Sequence, residues 1–354
     1  MRRLVPGLIG LAAALAAGAA MPQPVPTRSD AVQPSLPEAS PPIAPLRRGA
    51  DGQIELIDPA TERRAGIPLC DKGAICVGPG QRHRTLASGL EVAQDGSTIE
   101  LIAGTYRESA SLAHRKLTLR GVAGRPHIDC AGAALADDKA CLLLAADGIT
   151  LDNIEVSGAE PGEGSEAPAA CIANDGGADF SISRVLCHDS QNGILAHGGA
   201  IEIAESEFYD NGRSRGTDNG AFDGACLLTV RASTFRDARG GAELRSRCMR
   251  TTITDSTFRS ARSEVILDLP DGGETLIYRS TLEKVNDTFG DIIRFSADSC
   301  RHPGTVVFRQ VRIVNARDDT ALRNYDRCFS NAIVLEQVTF EGVRPRQIGY
   351  ILTR

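Results

Sequence analysis

Residues 251–258, "TTITDSTF", are one copy of an eight-residue phrase that recurs along most of the chain. In every copy apolar and polar residues alternate, and the last residue is an apolar side chain that we call the anchor. Successive anchors are 21 to 31 residues apart. A repeat of about two dozen residues with variable insertions indicates a solenoid, in which one unit stacks on the next. The eight anchors are Val156, Cys187, Phe208, Phe235, Phe258, Leu282, Ile313 and Phe340.

The repeated phrase has the pattern of a β-strand rather than of a helix. Its alternation has a period of two, β-branched residues are frequent, and glycine or Asn-Gly separates the copies. Leucine-rich repeats would show leucine and asparagine at fixed offsets, and propeller blades would need about forty residues each. The pattern therefore predicts a parallel β-solenoid whose coils rise by ~4.8 Å, so that the anchors form one column inside it.

The segment before the first phrase predicts a cap for this solenoid. Residues 77–112 read "VGPGQRHRTLASGLEVAQDGSTIELIAGTYRESASL", in which "RTLASGLEVA" is amphipathic at helical spacing. The elements "A-x-DG-x-TI-x-L" and "GTY-x-E" resemble the opening of right-handed parallel β-helix proteins of the pectin lyase-like superfamily. The resemblance runs from about Val77 to the end of the chain. It implies an all-β fold, a single right-handed parallel β-helix with a short N-terminal capping helix.

Three segments are predicted along the chain. Residues 1–20 have a basic start, an apolar run and the small residues Ala17-Gly18-Ala19, as in a secretory signal peptide. Residues 21–48 contain eight of the eighteen prolines and are predicted to be a disordered linker. Residues 49–354 form the β-helix domain, with its N-terminal cap at about 49–100. We expect an exported monomer, in the periplasm or outside the cell, with no membrane span.

Ten cysteines in an exported chain predict disulfide bonds. The number of possible pairings is large, and sequence does not choose among them. Sequential neighbours are favoured because each such bond closes a loop of about one repeat or less. Cysteine pairs of the CxxC type are absent and the six histidines are scattered, so no metal site is predicted. The favoured pairs are Cys70–Cys76, Cys130–Cys141, Cys171–Cys187, Cys226–Cys248 and Cys300–Cys328.

Charge and composition restrict the class of ligand. The formal net charge of −6 gives no basic signature for nucleic acid. Tryptophan is absent and aromatic residues make up only 4% of the chain, whereas neutral sugars usually stack on aromatic side chains. Arginine, which dominates the basic residues, binds carboxylates and sulfates through its planar fork. The predicted partner is therefore an acidic polysaccharide.

The resemblance also places the candidate site on the outer face of one sheet, where active lyases of the superfamily carry their residues. Elimination on a uronate needs a group that neutralises the carboxylate and a base that removes a proton. We predict Arg245, Arg247 and Asp268 as catalytic residues. Three further side chains at similar positions are predicted to bind substrate, namely Arg294, His197 and Asn174.

Two phrases sharpen the resemblance and also limit it. "GAELRSRC" and "VILDLPDGG" resemble "GHLIKSRA" and "YLIDLPNGG" of a group of exported right-handed β-helix proteins. This chain has arginine where related lyases have lysine, and "GTDNGAFDGACLL" lacks the histidine of a His-Asn pair. Two hypotheses therefore stand: a lyase-like enzyme, or a catalytically silent structural or binding module of the cell envelope. In the second, Arg245 simply pairs with Asp268 across adjacent coils.

No cofactor is predicted, with calcium as the alternative. The segment 209–224 offers carboxylate and amide oxygens, which are the ligands that calcium takes. It contains no EF-hand or nonapeptide pattern, so a simple insertion between coils is the competing interpretation. The candidate ligands are Asp210, Asn211, Asp218, Asn219 and Asp223.

Overall fold

A computed structural model describes most of the chain beyond the N-terminal region. The described residues are 46–48, 54–56, 69–163, 165, 167–212, 217–285, 291–295, 298–299, 301–315, 322–324, 333–342 and 351–353. The predicted signal peptide, and the predicted linker except for its last three residues, lie outside them. Strands β1 (Leu46–Arg48) and β2 (Ile54–Leu56) pair with each other in antiparallel fashion.

The remaining strands form three parallel ladders, and the chain visits ladders A, B and C in turn in each coil. Ladder A contains β6 (Ala110–Leu112), β9 (Ala140–Leu144), β12 (Ala170–Asn174), the first parts of β15 (Ile194–Ala204) and β17 (Gly220–Arg231), β19 (Ala242–Ser246), β22 (Val265–Leu269), β25 (Ile293–Phe295) and β28 (Leu322–Asn324). Ladder B contains β3 (Ile75–Val77), β4 (Thr98–Ile102), β7 (Thr118–Val122), β10 (Ile149–Asp152), β13 (Phe180–Ser183), the second parts of β15 and β17, β20 (Arg250–Thr254), β23 (Glu274–Tyr278), β26 (Val306–Arg309), β29 (Ile333–Glu336) and β31 (Ile351–Thr353). Ladder C contains β5 (Thr105–Tyr106), β8 (His127–Asp129), β11 (Glu155–Ser157), β14 (Leu186–His188), β16 (Glu207–Tyr209), β18 (Thr234–Arg236), β21 (Thr257–Ser260), β24 (Thr281–Lys284), β27 (Arg312–Asn315) and β30 (Thr339–Glu341). This is a right-handed parallel β-helix, as the sequence predicted.

Each copy of the phrase forms two short strands, one in ladder B and one in ladder C, rather than a single strand. The residue three positions before the anchor turns the chain between them with a left-handed backbone, at φ values of 47° to 55°. Such values are uncommon outside glycine, yet no copy has glycine here. Their recurrence at one offset explains why the phrase keeps a constant length while the insertions vary. The corner residues are Asn153, Arg184, Glu205, Ala232, Asp255, Arg279, Gln310 and Gln337.

The anchors form one column in ladder C, which confirms the predicted register. Every anchor pairs with the anchor of the next coil. All are fully buried except Phe340, which is partly buried at the last copy. The rings of Phe208, Phe235 and Phe258 stack with centroids 4.8 and 5.1 Å apart, close to the coil rise. A flat ring therefore fills the interior at each level without a gap.

A second inner column, two residues before the anchors, is polar. Ser206, Ser233 and Ser256 each donate a backbone N–H to the serine hydroxyl of the following coil, over 3.1–3.2 Å. The last acceptor is Ser280. Each hydroxyl donates in turn to a carbonyl at the corner of its own coil. These buried N–H groups are thus satisfied, which an apolar side chain would not achieve.

The N-terminal end is capped by the predicted helix, α1 (Leu86–Leu90). Thr85 and Ser88 form a capping box, and the carboxylate of Glu108 accepts the N–H groups of Leu86 and Ala87. Leu86 is fully buried against the first coils. Within the described residues no helix is long and apolar enough to cross a membrane.

Four of the five favoured disulfide bonds are present. They join Cys70–Cys76, Cys130–Cys141, Cys171–Cys187 and Cys226–Cys248, with Cα atoms 4.6–6.2 Å apart. The predicted pair Cys300–Cys328 lies outside the described residues.

The aromatic column yields a stability prediction. We expect Phe235→Ala to lower the free energy of unfolding by about 3–5 kcal/mol, because it opens a cavity between two stacked rings. Leu227→Ala is the control, since Leu227 lies in the preceding strand, β17, but is 45% exposed, and its change should stay within about 0.5 kcal/mol. Urea unfolding with the disulfide bonds intact measures both. Equal losses in the two variants would contradict the column as a source of stability.

Candidate functional site

The outer face of ladder A carries a groove with a volume of about 430 Å³. Its floor follows one outward column, in which Ala173, Leu195 and Ala221 pair in successive coils. Apolar side chains at these outward positions leave a shallow surface between longer polar ones. The polar side chains that line the groove are Lys139, Asn174, His197, Asp223, Arg245 and Arg247.

The same column continues into the predicted charged residues. Ala221 pairs with Arg245, Arg245 with Asp268, and Asp268 with Arg294. These three charged residues therefore share one outward row, as predicted. Only Arg245 lines the groove, because Asp268 lies buried one coil further along and Arg294 a coil beyond that. Nη1 of Arg294 lies 3.9 Å from Oδ2 of Asp268. Arg294 is therefore part of the ion-pair network and does not line the groove.

Asn174 and His197 occupy other rows than the one predicted for them. Asn174 follows Ala173 of the outward column and is buried. Its side-chain oxygen accepts the N–H of His197 at 2.7 Å, and its amide donates to the carbonyl of His197 at 3.2 Å. The register shifts between His197 and Gly199, where a bulge interrupts the pairing, and sequence alternation does not reveal such a bulge. Asn174 therefore positions His197, whose imidazole is exposed in the groove.

Arg245 is held between two buried carboxylates. Its Nη1 lies 3.0 Å from Oδ2 of Asp218 and its Nε 3.1 Å from Oδ2 of Asp268. Burial raises the pKa of Asp218 to about 6, although Arg245 acts in the opposite direction. Burial also raises the pKa of Asp268, against the effect of Arg245 and Arg294. Removing the guanidinium would thus leave buried Asp218 without its ion pair and buried Asp268 with only the contact to Arg294 at 3.9 Å.

Arg247 is fixed in a similar way from the following turn. Its guanidinium donates to Asp271 at 2.8 Å and to Asp298. Burial lowers the pKa of Arg247, but the hydrogen bonds to these two carboxylates outweigh it, so the pKa lies above its ordinary value. Arg247 is therefore a permanent cation in the groove. This state suits the binding of an anion better than the removal of a proton.

Glu243 is fully buried and does not contact the groove. Burial raises its pKa to about 7, and hydrogen bonds from Ser260, Asn219 and Ala238 only partly offset this effect. An acidic group in this environment binds a proton more tightly in the folded chain than in the unfolded one.

The segment suggested for calcium is largely used by the protein itself. Asn211, Asp218 and Asn219 are buried, and their side chains hydrogen-bond within the coils. Asp223 lies apart from them, in the groove.

Sequence reasoning missed several participants in this site. Three acidic partners of the two arginines, Asp218, Asp271 and Asp298, come from loops, where strand alternation does not apply. Their spacing of about one or two repeats from the arginines is the signal that could have located them. Asp218 and Asp223 were predicted only as candidate calcium ligands, and Lys139 and Asp298 were not predicted for the site.

The architecture and its groove define a right-handed parallel β-helix protein with a charged outer-face site. No protein-family model matches the chain, and no curated protein is detectably similar to it in sequence. Among solved structures, the pectate lyase Pel9A aligns with a TM-score of 0.51 at 12% identity, over 77% of this chain and 78% of that chain. Pectin methylesterases from Aspergillus niger and carrot align with TM-scores of 0.48 and 0.49 at 15% and 12% identity. Both alignments cover 80% of this chain, and 90% and 89% of the respective enzymes. The likeness to Pel9A confirms the fold.

The two-carboxylate environment of Arg245 yields a second stability prediction. We expect Arg245→Ala to lower the free energy of unfolding by about 3–5 kcal/mol, because buried Asp218 loses its ion pair and buried Asp268 keeps only the longer contact with Arg294. Arg250→Ala is the matched control, since Arg250 forms an exposed pair with Glu274 and should cost about 0–1 kcal/mol. Urea unfolding at neutral pH compares them. If Arg245→Ala lowers the unfolding free energy no more than Arg250→Ala does, the ion pairs of Arg245 contribute little to stability.

Glu243 yields a prediction about pH. Its pKa is about 7 in the folded protein against an ordinary value of 4.5, so folding takes up a proton between these two values. The wild type should therefore lose stability as pH rises from about 4.5 to about 7, and Glu243→Gln should lack this component. The measured quantity is the difference in unfolding free energy between variant and wild type. As pH rises through this window, the unfolding free energy of Glu243→Gln should increase relative to that of the wild type. A difference that does not change with pH would refute the raised pKa of Glu243.

Proposed function

We propose that the protein binds an acidic polysaccharide in the groove on ladder A. The observation that carries the proposal is the composition of the lining. Three of the side chains that line the groove are cations, Lys139, Arg245 and Arg247, and one is a carboxylate, Asp223. Exposed aspartates beside the lining, Asp137 and Asp298, pair with Lys139 and Arg247, respectively. The aspartates that fix Arg245 are buried, so they orient the guanidinium without themselves facing a ligand.

The arginines retain donors for a ligand. A guanidinium has five N–H groups, and the contacts of Arg245 with Asp218 and Asp268 use Nε and Nη1. The side chain of Arg245 remains 23% exposed. A guanidinium whose rotamer is already fixed loses little conformational entropy when it binds a carboxylate or sulfate. The ion pairs thus preorganise the cations for an anionic ligand.

The apolar floor suits a sugar ring. Ala173, Leu195 and Ala221 come from three successive coils, so they form a strip along the axis of the β-helix rather than a closed pocket. A polysaccharide chain that follows this strip would meet Lys139 at one end and Arg245 and Arg247 at the other. The absence of tryptophan from the chain favours such charge-based recognition over aromatic stacking.

Export is part of the proposal. The apolar N-terminal run with its basic start has the pattern of a secretory signal, and four cysteine pairs are at bonding distance. Disulfide bonds persist in the periplasm and outside the cell. Acidic polysaccharides are available in both compartments, so location and proposed ligand agree.

A lyase-like elimination is the second candidate, and it rests on a specific feature of the groove. The exposed imidazole of His197 shares the groove with Arg247, so a base and a carboxylate-neutralising cation are both present. Arg245, Arg247 and Asp268 as catalytic residues remain predictions. Within this candidate Arg247 acts as the neutralising cation and Asp268 as a positioning residue, since Asp268 is buried next to Arg245.

Ala221 offers a test that removes no ion pair. We expect Ala221→Glu to weaken binding of an acidic polysaccharide at least about tenfold, because it places a carboxylate on the floor beside Arg245. Ala221→Gln is the matched control, with the same size and no charge, and should change binding much less. Binding to pectate, alginate and chondroitin sulfate is measured by titration calorimetry at two ionic strengths.

The outcomes separate the candidates. Equal affinities of the Ala221→Glu and Ala221→Gln variants would exclude the groove as the binding site. Ultraviolet absorbance of unsaturated products during the same incubations reports elimination. Binding without product supports the binding module, and product that disappears with Ala221→Glu supports the lyase.

A further inference from the structure

A cluster of two histidines and a glutamate lies on the outer face of ladder C, away from the groove. His127 and Glu155 pair in adjacent coils, and His188 lies in the coil after Glu155. Oε1 of Glu155 is 3.1 Å from Nε2 of His188 and 3.8 Å from Nδ1 of His127. Three different strands, β8, β11 and β14, therefore bring one atom each towards a common point.

Each imidazole is oriented by a partner on its other nitrogen. Nδ1 of His188 is 2.9 Å from a carboxylate oxygen of Asp189, and Nε2 of His127 is 2.7 Å from the hydroxyl of Ser157. The nitrogens that face Glu155 are thus the ones left for a further interaction. Histidines that bind metal ions have this arrangement, in which an outer partner fixes the tautomer and the ring direction.

We propose that His127, Glu155 and His188 bind a divalent transition-metal ion, with Zn²⁺ as the best fit. Their ligand atoms all lie within 4.8 Å of one another. A tetrahedral Zn²⁺ with bonds of about 2.0–2.2 Å requires ligand atoms roughly 3.3–3.6 Å apart. The distances from Oε1 of Glu155 to the two imidazole nitrogens, 3.1 and 3.8 Å, lie just below and just above this range. Small rotations of the side chains would therefore bring these atoms to the spacing that Zn²⁺ requires.

The surroundings support a site that is open to solvent. The side chains of His127, Glu155 and His188 are 28%, 28% and 14% exposed, which leaves a path for the ion and a fourth position for water. Tyr209 stacks on the ring of His188 at 4.7 Å and restricts its rotation. Two nitrogen ligands disfavour Ca²⁺ and Mg²⁺, which take oxygen.

The sequence predicted no metal site because the ligands do not form a local motif. His127, Glu155 and His188 are each about one coil apart along the chain, and only the parallel register brings them together. A bound ion would connect three consecutive coils. This site is independent of the proposed polysaccharide groove.

Titration calorimetry with ZnCl₂ tests the proposal, on the oxidised chain without a polyhistidine tag. We expect one equivalent of Zn²⁺ to bind and Ca²⁺ not to compete. Glu155→Gln and His188→Gln should each weaken binding at least about tenfold, whereas His114→Gln, at a histidine that is not in the cluster and lies beside Asp95, should have no effect. Circular dichroism checks that the variants fold.

A second measurement distinguishes binding by these ligands from general binding at the surface. Co²⁺ in the site should give visible absorption bands typical of low coordination numbers, and Zn²⁺ should abolish them by displacement. Asp189→Asn, which removes the partner of His188, should weaken Zn²⁺ binding by about 10–100-fold. Unchanged Zn²⁺ affinity in Glu155→Gln, or no saturable binding at one equivalent, overturns the proposal.

Discussion

The rise of ~4.8 Å between hydrogen-bonded coils is the constraint on which the rest of this structure depends. It forces every side chain to stand next to its equivalent in the coils above and below. A side chain at an interior position must therefore pack against the side chains at the equivalent position in the neighbouring coils. Stacked phenylalanines meet this requirement through ring faces, with Phe235 between Phe208 and Phe258. The serine column meets it through hydroxyls that accept from one coil and donate within their own.

On the outside, the same spacing makes stacked like charges unfavourable and stacked opposite charges favourable. The row Arg245, Asp268, Arg294 alternates in sign accordingly. The one carboxylate of this row, Asp268, is buried, whereas the guanidinium of Arg245 reaches the groove. On ladder C, the carboxylate of Glu155 lies between the imidazoles of His127 and His188, which come from the coils on either side.

Sequence alone was sufficient for the features that repeat. The phrase predicted the ladder and the anchor register, because both depend on equivalent positions in neighbouring coils. The four disulfide bonds were favoured for a different reason, the short loops between cysteines that are neighbours in sequence. The sequence also placed Arg245, Asp268 and Arg294 in one row. It failed where the repeat is broken. His197 lies two positions beyond Leu195, the member of the row in its coil, and the loop residues Asp218 and Asp271 reach the arginines from positions without periodicity.

The left-handed corner before each anchor has a wider consequence. Because arginine, glutamate, alanine and glutamine all occupy it, the corner is set by the coil geometry and not by a special residue. Each coil therefore makes its turn without needing a particular residue type at the corner. Duplication of one coil would leave the backbone hydrogen bonds of the neighbouring coils intact. The outer grooves would grow by one rise at each such event. The number of coils therefore sets the length of the surface that the outer face offers.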